Sequence, residues 1–437
     1  MVEVVKKTRV LTDATQSPRP EGGWSHAIRT VKDAVIATST LQDLVQPAGV
    51  FDAKGDFVHE SVLWRGRALM VPPETMPEPV ETLPGRWLWA GVLLNHFGHF
   101  LVESSGRLWG IDAVQGKLDG VIFISKRDAD EEGEALELSA FHQGFMRLLG
   151  LDLPFKVVTQ PTRVEVLEVP GQGFGIGALA SGIAPFRQFI RSRFAKDIAP
   201  EGPEKLYISR SGLSAVRGGI LHEERIEELL SPQGYEVFHP QKHPMEVQIA
   251  RYKAAKQIVS LDGSALHLLA MVGREDQQVA MIKRRDSGAS TSIVAHLTGF
   301  TGRAPEVIDV IKQDWVRSDR KKADRTSIGE LDFARLAGEL VARGFLPQGI
   351  TAEALSPRQA ERAIIQVEKD LRRRNLTFRP VPRGVDPATI PLPLRATLSR
   401  SEMKEAKRQR QAEEAPNPLN ARRMERINRR SVKDAAE

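Results

Sequence analysis

Gln257-Ile258-Val259-Ser260-Leu261-Asp262-Gly263-Ser264-Ala265-Leu266-His267-Leu268-Leu269-Ala270-Met271 passes from a β-branched run, through a Gly-Ser turn, into an apolar helix. A short apolar run closed by turn residues reads as a buried strand. The same alternation extends both ways. Strands are expected at 206–209, 235–238, 257–260, 279–282 and 307–310, and helices at about 223–230, 245–256 and 265–271. Gly234 stands just past the first helix, where a left-handed residue closes a helix end. Five short strands separated by helices predict an α/β fold with a mostly parallel, doubly wound sheet.

Upstream the pattern is looser. Residues 50–58 read as two short strands around a Gly-containing turn. Residues 71–84 are proline-punctuated and are expected to be loop. An apolar run at 87–94 follows, then a helix over 95–109, a buried strand at 121–124, a helix at 141–149 and a strand at 155–158, which together suggest a further α/β layer. Downstream of Trp315 the character becomes helical. Leu331, Leu336, Leu340 and Val341 form one stripe, and Ser356-Pro357-Arg358-Gln359 is a helix start with Ser as N-cap, Pro at N1 and Gln at N3. The expected division is an N-terminal α/β domain over 1–185, a second α/β domain over 186–315, a helical appendage over 316–399 and a charged tail over 400–437.

Composition narrows the classes. At 437 residues the chain is too long for one ordinary core, and 41% hydrophobic with 27% charged residues is a globular balance. Cysteine is absent, which removes disulfides, thiolate metal sites and a cysteine nucleophile and fits a reducing compartment. The net charge of +6 is concentrated in 400–437, where 11 Lys and Arg face 7 Asp and Glu. The near-neutral body argues against a nucleic-acid binder. The longest apolar run is about half the ~20 residues of a spanning helix, and Met1-Val2-Glu3-Val4-Val5-Lys6-Lys7 lacks a signal-peptide core. The expectation is a cytoplasmic protein, peripheral to the inner face of the membrane through its basic tail.

Three constellations carry chemistry. In the first, Asn95-His96-Phe97-Gly98-His99-Phe100-Leu101-Val102-Glu103 runs on to Arg107. On a helix His99, Glu103 and Arg107 share one face at i, i+4, i+8. Glu103 could orient the imidazole, with Arg107 fixing Glu103. A His held so is a general base for a hydroxyl proton near pH 7. The plainer reading is a surface ion pair; His96, His99 and Glu103 as metal ligands is a third. In the second, Tyr207-Ile208-Ser209-Arg210-Ser211 ends a strand in hydroxyls and a guanidinium fork suited to a pyrophosphate; a solvated Arg is its ordinary alternative. In the third, the Gly263-Ser264 turn offers backbone N–H groups and a hydroxyl to an anion, or simply caps a helix. Two patterns are set aside. Gly171-Gln172-Gly173-Phe174-Gly175-Ile176-Gly177 lacks the third glycine at its required spacing and reads as a flexible connection, mobile over the cleft. Asp128-Ala129-Asp130 lies in a charge run and reads as a solvated loop.

Taken in order, these blocks resemble the family 61 glycosyltransferases of bacterial polysaccharide clusters. The family's Asn–His–aromatic–acid–Arg block is matched by Asn95, His99, Phe100, Glu103 and Arg107, and its Tyr-Ile-Ser-Arg strand by Tyr207 to Arg210. Arg217, Gly234-Tyr235-Glu236-Val237, Gln248 and Gly263-Ser264-Ala265 follow in register. Two positions depart: His222 stands where the family has Asn before the Glu, and Asp262 where many members have His before the Gly. The resemblance covers about residues 90 to 275. It implies two Rossmann-like domains of GT-B type facing a cleft, a nucleotide-sugar donor used without metal or other cofactor, and inversion at the anomeric carbon. The acceptor would be a glycan or lipid-linked glycan hydroxyl. His99 is then the first choice as base and Glu103 the second. Arg210, Ser209, Gly263 and Ser264 would hold the donor, and Glu223 its ribose hydroxyls. His267 would face phosphate or simply pack. The competing classes are a non-catalytic nucleotide- or glycan-binding protein on the same fold, and a nucleic-acid or membrane-surface binder acting through the tail.

Overall fold

The computed structural model describes residues 17–41, 43–125, 138–371, 376–386 and 389–390. The Asp128-Ala129-Asp130 loop, the N-terminal Met1 to Lys7 and the 400–437 tail lie outside them.

Two large sheets organise the chain. The N-terminal sheet has six strands, in spatial order Gly49–Phe51, Ile28–Ala37, Thr162–Pro170, Glu81–Leu93, Gly120–Ser125 and Phe155–Val158. The last four are mutually parallel, and the first two join antiparallel at one edge. Taken by chain position, the parallel four follow the order 3-2-1-4. The central sheet runs Glu236–Phe238, Lys205–Ile208, Gln257–Leu261, Gln278–Ile282, Glu306–Ile308 and is parallel throughout, in the order 2-1-3-4-5. In each sheet two neighbouring strands mark the point where the winding reverses, and ligands of open α/β sheets bind beyond the carboxyl ends there.

The period-two alternation of strands explains how these layers stack. In the central sheet Leu206, Ile208, Ile258 and Met281 face one core, while Tyr207, Val259, Leu261, Ala280 and Ile282 face another. In the N-terminal sheet Leu88, Ala90, Val121 and Phe123 face the first of these cores, and Trp87, Trp89, Ile122 and Ile124 face away from it. One continuous apolar core therefore lies between the sheets. It is filled by the helices Phe97–Val102, Ala140–Leu148, Ala184–Arg193, Met245–Ala254, Ala265–Val272 and Ala289–Thr301. The Ala265–Val272 helix buries Leu266, Leu268, Leu269, Ala270, Met271 and Val272, as a helix apolar on every side must. The halves are thus joined by a core. The boundary expected at 185/186 falls inside the Ala184–Arg193 helix.

The C-terminal part corrects the expectation of a helical appendage. Its two helices are present, Phe333–Ala342 and Pro357–Asp370, the second with the Ser356–Gln359 capping box. But Gly219–Ile220, Ile328–Leu331, Ile311–Arg317 and Phe378–Pro382 form a four-stranded sheet beside them. Trp315, Phe333, Leu336, Ile364 and Phe378 share the second core with Tyr207 and Ile282. This part is the layer that covers the far face of the central sheet.

Candidate active site

The register of the central sheet sets one side of the candidate site. Ile208 pairs with Ser260, and Leu261 with Ile282. Ser209-Arg210, Asp262-Gly263 and Lys283-Arg284-Arg285 therefore leave the sheet side by side at its carboxyl edge. A Cβ on Gly263 would stand 3.0 Å from Arg210 Nη1, so the residue that lets the turn pass the guanidinium is a glycine. The Ser264 hydroxyl makes no capping bond to its own helix.

Glu223 braces this edge. Its Oε1 accepts from the Arg210 N–H at 2.6 Å and from the Tyr207 hydroxyl at 3.0 Å, with the Ser209 hydroxyl at 3.4 Å. Burial pushes the Glu223 carboxyl up, and these hydrogen bonds oppose the rise. Ser209 gives its one hydroxyl hydrogen to Glu227 Oε1 at 2.6 Å rather than to the more distant Glu223, so its hydroxyl is committed to the protein. His222, the departure from the family's Asn, has φ +55°. That left-handed backbone favours Asn, and His is among the few other residues enriched there.

Three cations missed by the sequence reading stand here. Arg284 and Arg285 are nearly buried, and Arg284 Nε lies 2.8 Å from the fully buried Asp262 carboxylate. Burial raises the Asp262 pKa, opposed by Arg285, Arg210 and Lys283. The signal was available: Lys283-Arg284-Arg285 follows a predicted strand as Arg210 does. Arg325 arrives from outside the blocks that carried the family resemblance. Burial lowers the His96 pKa to about 4, with His99, Arg325, Arg217 and Arg210 adding to the fall.

The other side is built at the carboxyl end of Glu81–Leu93. His99 Nδ1 is 2.7 Å from Glu103 Oε2. Arg65 donates to both oxygens of Glu103, Nε to Oε1 at 2.7 Å and Nη2 to Oε2 at 2.6 Å. The Glu103 side chain is fully buried and that of His99 is 31% exposed, so the imidazole faces outward and the carboxylate sits behind it. Burial pushes the Glu103 pKa up, but the bonds from His99 and Arg65 outweigh it and leave it below its ordinary value. An ionised carboxylate only accepts. His99 therefore donates from Nδ1, and in the neutral ring Nε2 carries the lone pair.

Arg107 corrects the sequence reading. It does not touch Glu103; it donates to the backbone carbonyls of Glu60 and Val62. Complete burial lowers its pKa to about 9. The helix ends at Val102, and Ser104–Arg107 is a 3-10 turn. With about three residues per turn rather than about 3.6, the i, i+4, i+8 face is lost after Glu103. Arg65, from a distant loop, takes the position assigned to Arg107, and no local pattern could have revealed it.

The two sides meet. A Cβ on Gly98 would stand 2.9 Å from Ser264 Cβ and 3.5 Å from His267 Cδ2. The 171–177 segment is a packed connection and not a mobile one: Gln172 is fully buried and bonds to Trp64 and Phe174, and Gly173 N–H donates to Gly106. Among the described residues no group of three or more His, Asp or Glu side chains is placed to hold a metal ion, the His96–His99–Glu103 set included.

With this geometry in place, the comparison with protein families is decisive. Residues 97–279 match the family model described as Glycosyltransferase 61. The chain carries a glycosyltransferase family 61 domain. It is a glycosyltransferase, and both sides of the candidate site fall within the matched residues except Arg65, His96, Lys283, Arg284, Arg285 and Arg325. No curated protein matches the chain.

Proposed function

We propose that this glycosyltransferase moves a sugar from a nucleotide-sugar donor to a glycan or lipid-linked glycan hydroxyl, with inversion and without a metal, in capsular or extracellular polysaccharide synthesis. The observation that carries the reading is the junction of the Arg65–Glu103–His99 relay with the Gly263–Ser264 turn across Gly98.

His99 Nε2 accepts the proton of the acceptor hydroxyl as its oxygen attacks the anomeric carbon. The bond from that carbon to the diphosphate breaks on the opposite side, so configuration inverts in one displacement. The ionised Glu103 stabilises the imidazolium that forms, which favours His99 over Glu103 as base. Arg210, Arg217 and the Gly263–Ser264 turn receive the leaving diphosphate, with Arg284, Arg285 and Arg325 adding positive potential. Glu223 serves the donor by bracing the Arg210 backbone, and a contact to ribose would fall to its other oxygen. The two strand orders support a GT-B-like plan, with the acceptor on the N-terminal half and the donor on the central sheet. We place the reaction at the cytoplasmic face of the membrane, with the 400–437 tail as the contact.

A thermal-shift screen of nucleoside diphosphates with and without magnesium tests this reading. One of them is expected to raise Tm without metal, by the mass-action stabilisation of a bound ligand. Stabilisation only with magnesium overturns the metal-free route, and none with any nucleotide overturns the donor assignment.

A further inference from the structure

Behind the Gly263–Ser264 turn runs a second polar chain that the displacement does not use. His267 Nδ1 and His296 Nδ1 are 2.8 Å apart, and His296 Nε2 is 3.2 Å from the Gly175 carbonyl oxygen. The protons follow from the carbonyl end. A carbonyl only accepts, so His296 Nε2 carries hydrogen. His296 is fully buried, and burial holds its pKa at about 4, so the ring is neutral at pH 7 and its Nδ1 is bare. A bare nitrogen only accepts, so His267 donates from Nδ1. Burial, then His296, His99 and His96, keep His267 neutral as well. Its Nε2 is left as a lone pair that cannot become a donor without breaking the chain. Among the described residues nothing hydrogen-bonds to that nitrogen. Cδ2, the carbon bonded to it, is the His267 atom nearest to the Gly98 position beside His99.

We propose that His267 is a fixed hydrogen-bond acceptor for a hydroxyl of the donor's sugar ring, and so helps to set which sugar is transferred. The proposal deepens the donor reading above and rests on it. Phosphate oxygens are acceptors too, so the diphosphate is repelled from this nitrogen, whereas a sugar hydroxyl satisfies it. Burial holds the His267 ring neutral, which makes it a poor base for the acceptor proton. The Gly171–Gly177 segment gains a task, because the Gly175 carbonyl sets the tautomer. A sugar lacking the matching hydroxyl leaves Nε2 unpaired, which is how a polar site rejects such an analogue.

Calorimetric titration of the full chain with UDP, GDP and CMP, alone and as UDP-glucose, UDP-xylose, GDP-mannose and CMP-sialate, tests the proposal. H267L is expected to bind the free nucleotide within about twofold of wild type and its sugar conjugate about tenfold more weakly. Equal losses, or none, overturn the inference and leave the donor reading standing. Failure of the wild type to bind any sugar conjugate overturns both. Because H267L removes the partner of buried His296 and can fail to fold, neutron diffraction from deuterium-exchanged wild-type crystals gives an independent check. Deuterium on His267 Nδ1 and none on Nε2 is expected; deuterium on Nε2 overturns the proposal.

Discussion

The two sides of the site differ in how completely their charges are satisfied within the fold. On the acceptor side, Glu103 takes hydrogen bonds from His99 and a forked pair from Arg65, and its pKa falls despite burial. On the Arg210 side, Nε of Arg210 has no hydrogen-bond partner among the described residues, and its Nη2 reaches carbonyls only at 3.3 and 3.5 Å. Asp262 and Asp314, close by, each keep a raised pKa, to about 6 for Asp314, with burial as the main cause. On the mechanism proposed above, the difference separates two tasks. A base must be held in one tautomer before substrate arrives, so its supports are complete. A site for a doubly charged leaving group keeps cations whose best partner is the ligand, at a cost to the free protein.

Substitutions should therefore behave oppositely on the two sides. E103Q, which spares volume but removes the charge that orients His99, is expected to lower kcat by about 10²–10³-fold with donor affinity retained, read by steady-state kinetics. R65A leaves the buried Glu103 carboxylate short of its fork and should cost about 2–3 kcal/mol in urea unfolding, with activity also reduced. R210A should weaken nucleoside diphosphate binding by about tenfold or more, yet leave unfolding stability unchanged or slightly higher, because it removes a desolvated cation. Equal destabilisation by R65A and R210A would break the contrast.

The remaining effects concern pH. Burial lowers the His296 pKa from 6.5 to about 4 in the fold. The unfolded chain binds more protons between those values, so stability is full above about 6.5 and is lost as pH falls toward about 4, by about 3 kcal/mol for the whole shift. Asp314 runs the other way. Its pKa is raised from 3.8 to about 6, so its effect is absent below 3.8 and stability is lost as pH rises through about 6. D314N, which can still accept the Asp286 N–H, should remove that slope and raise stability at pH 7 by up to about 3 kcal/mol. Urea midpoints from pH 4 to 8 would show it.

Legibility in the sequence follows the same division. The central sheet was readable because each strand is a short buried run beside a helix: 257–260 was expected and Gln257–Leu261 is observed, 279–282 expected and Gln278–Ile282 observed. Two N-terminal strands were obscured. Glu81–Leu93 begins inside the 71–84 stretch expected to be loop, and its Pro84 and Gly85 form a bulge where the register shifts between Leu83 and Arg86. Ile28–Ala37 carries Lys32 and Asp33 amid its apolar residues. Among site residues, His99 and Glu103 were legible because an i, i+4 pair is local. Arg65 was not, because its approach to Glu103 depends on the packing of a loop 38 residues away in sequence.

The account rests on His99 performing the chemistry while the Arg210 edge holds the donor. The single-turnover rate of sugar transfer by H99A at saturating donor tests that most directly. A rate at least about 10²-fold below wild type, with the nucleotide affinity preserved, is the expected result. A rate within about twofold of wild type, or a loss that saturating donor repairs, would contradict it.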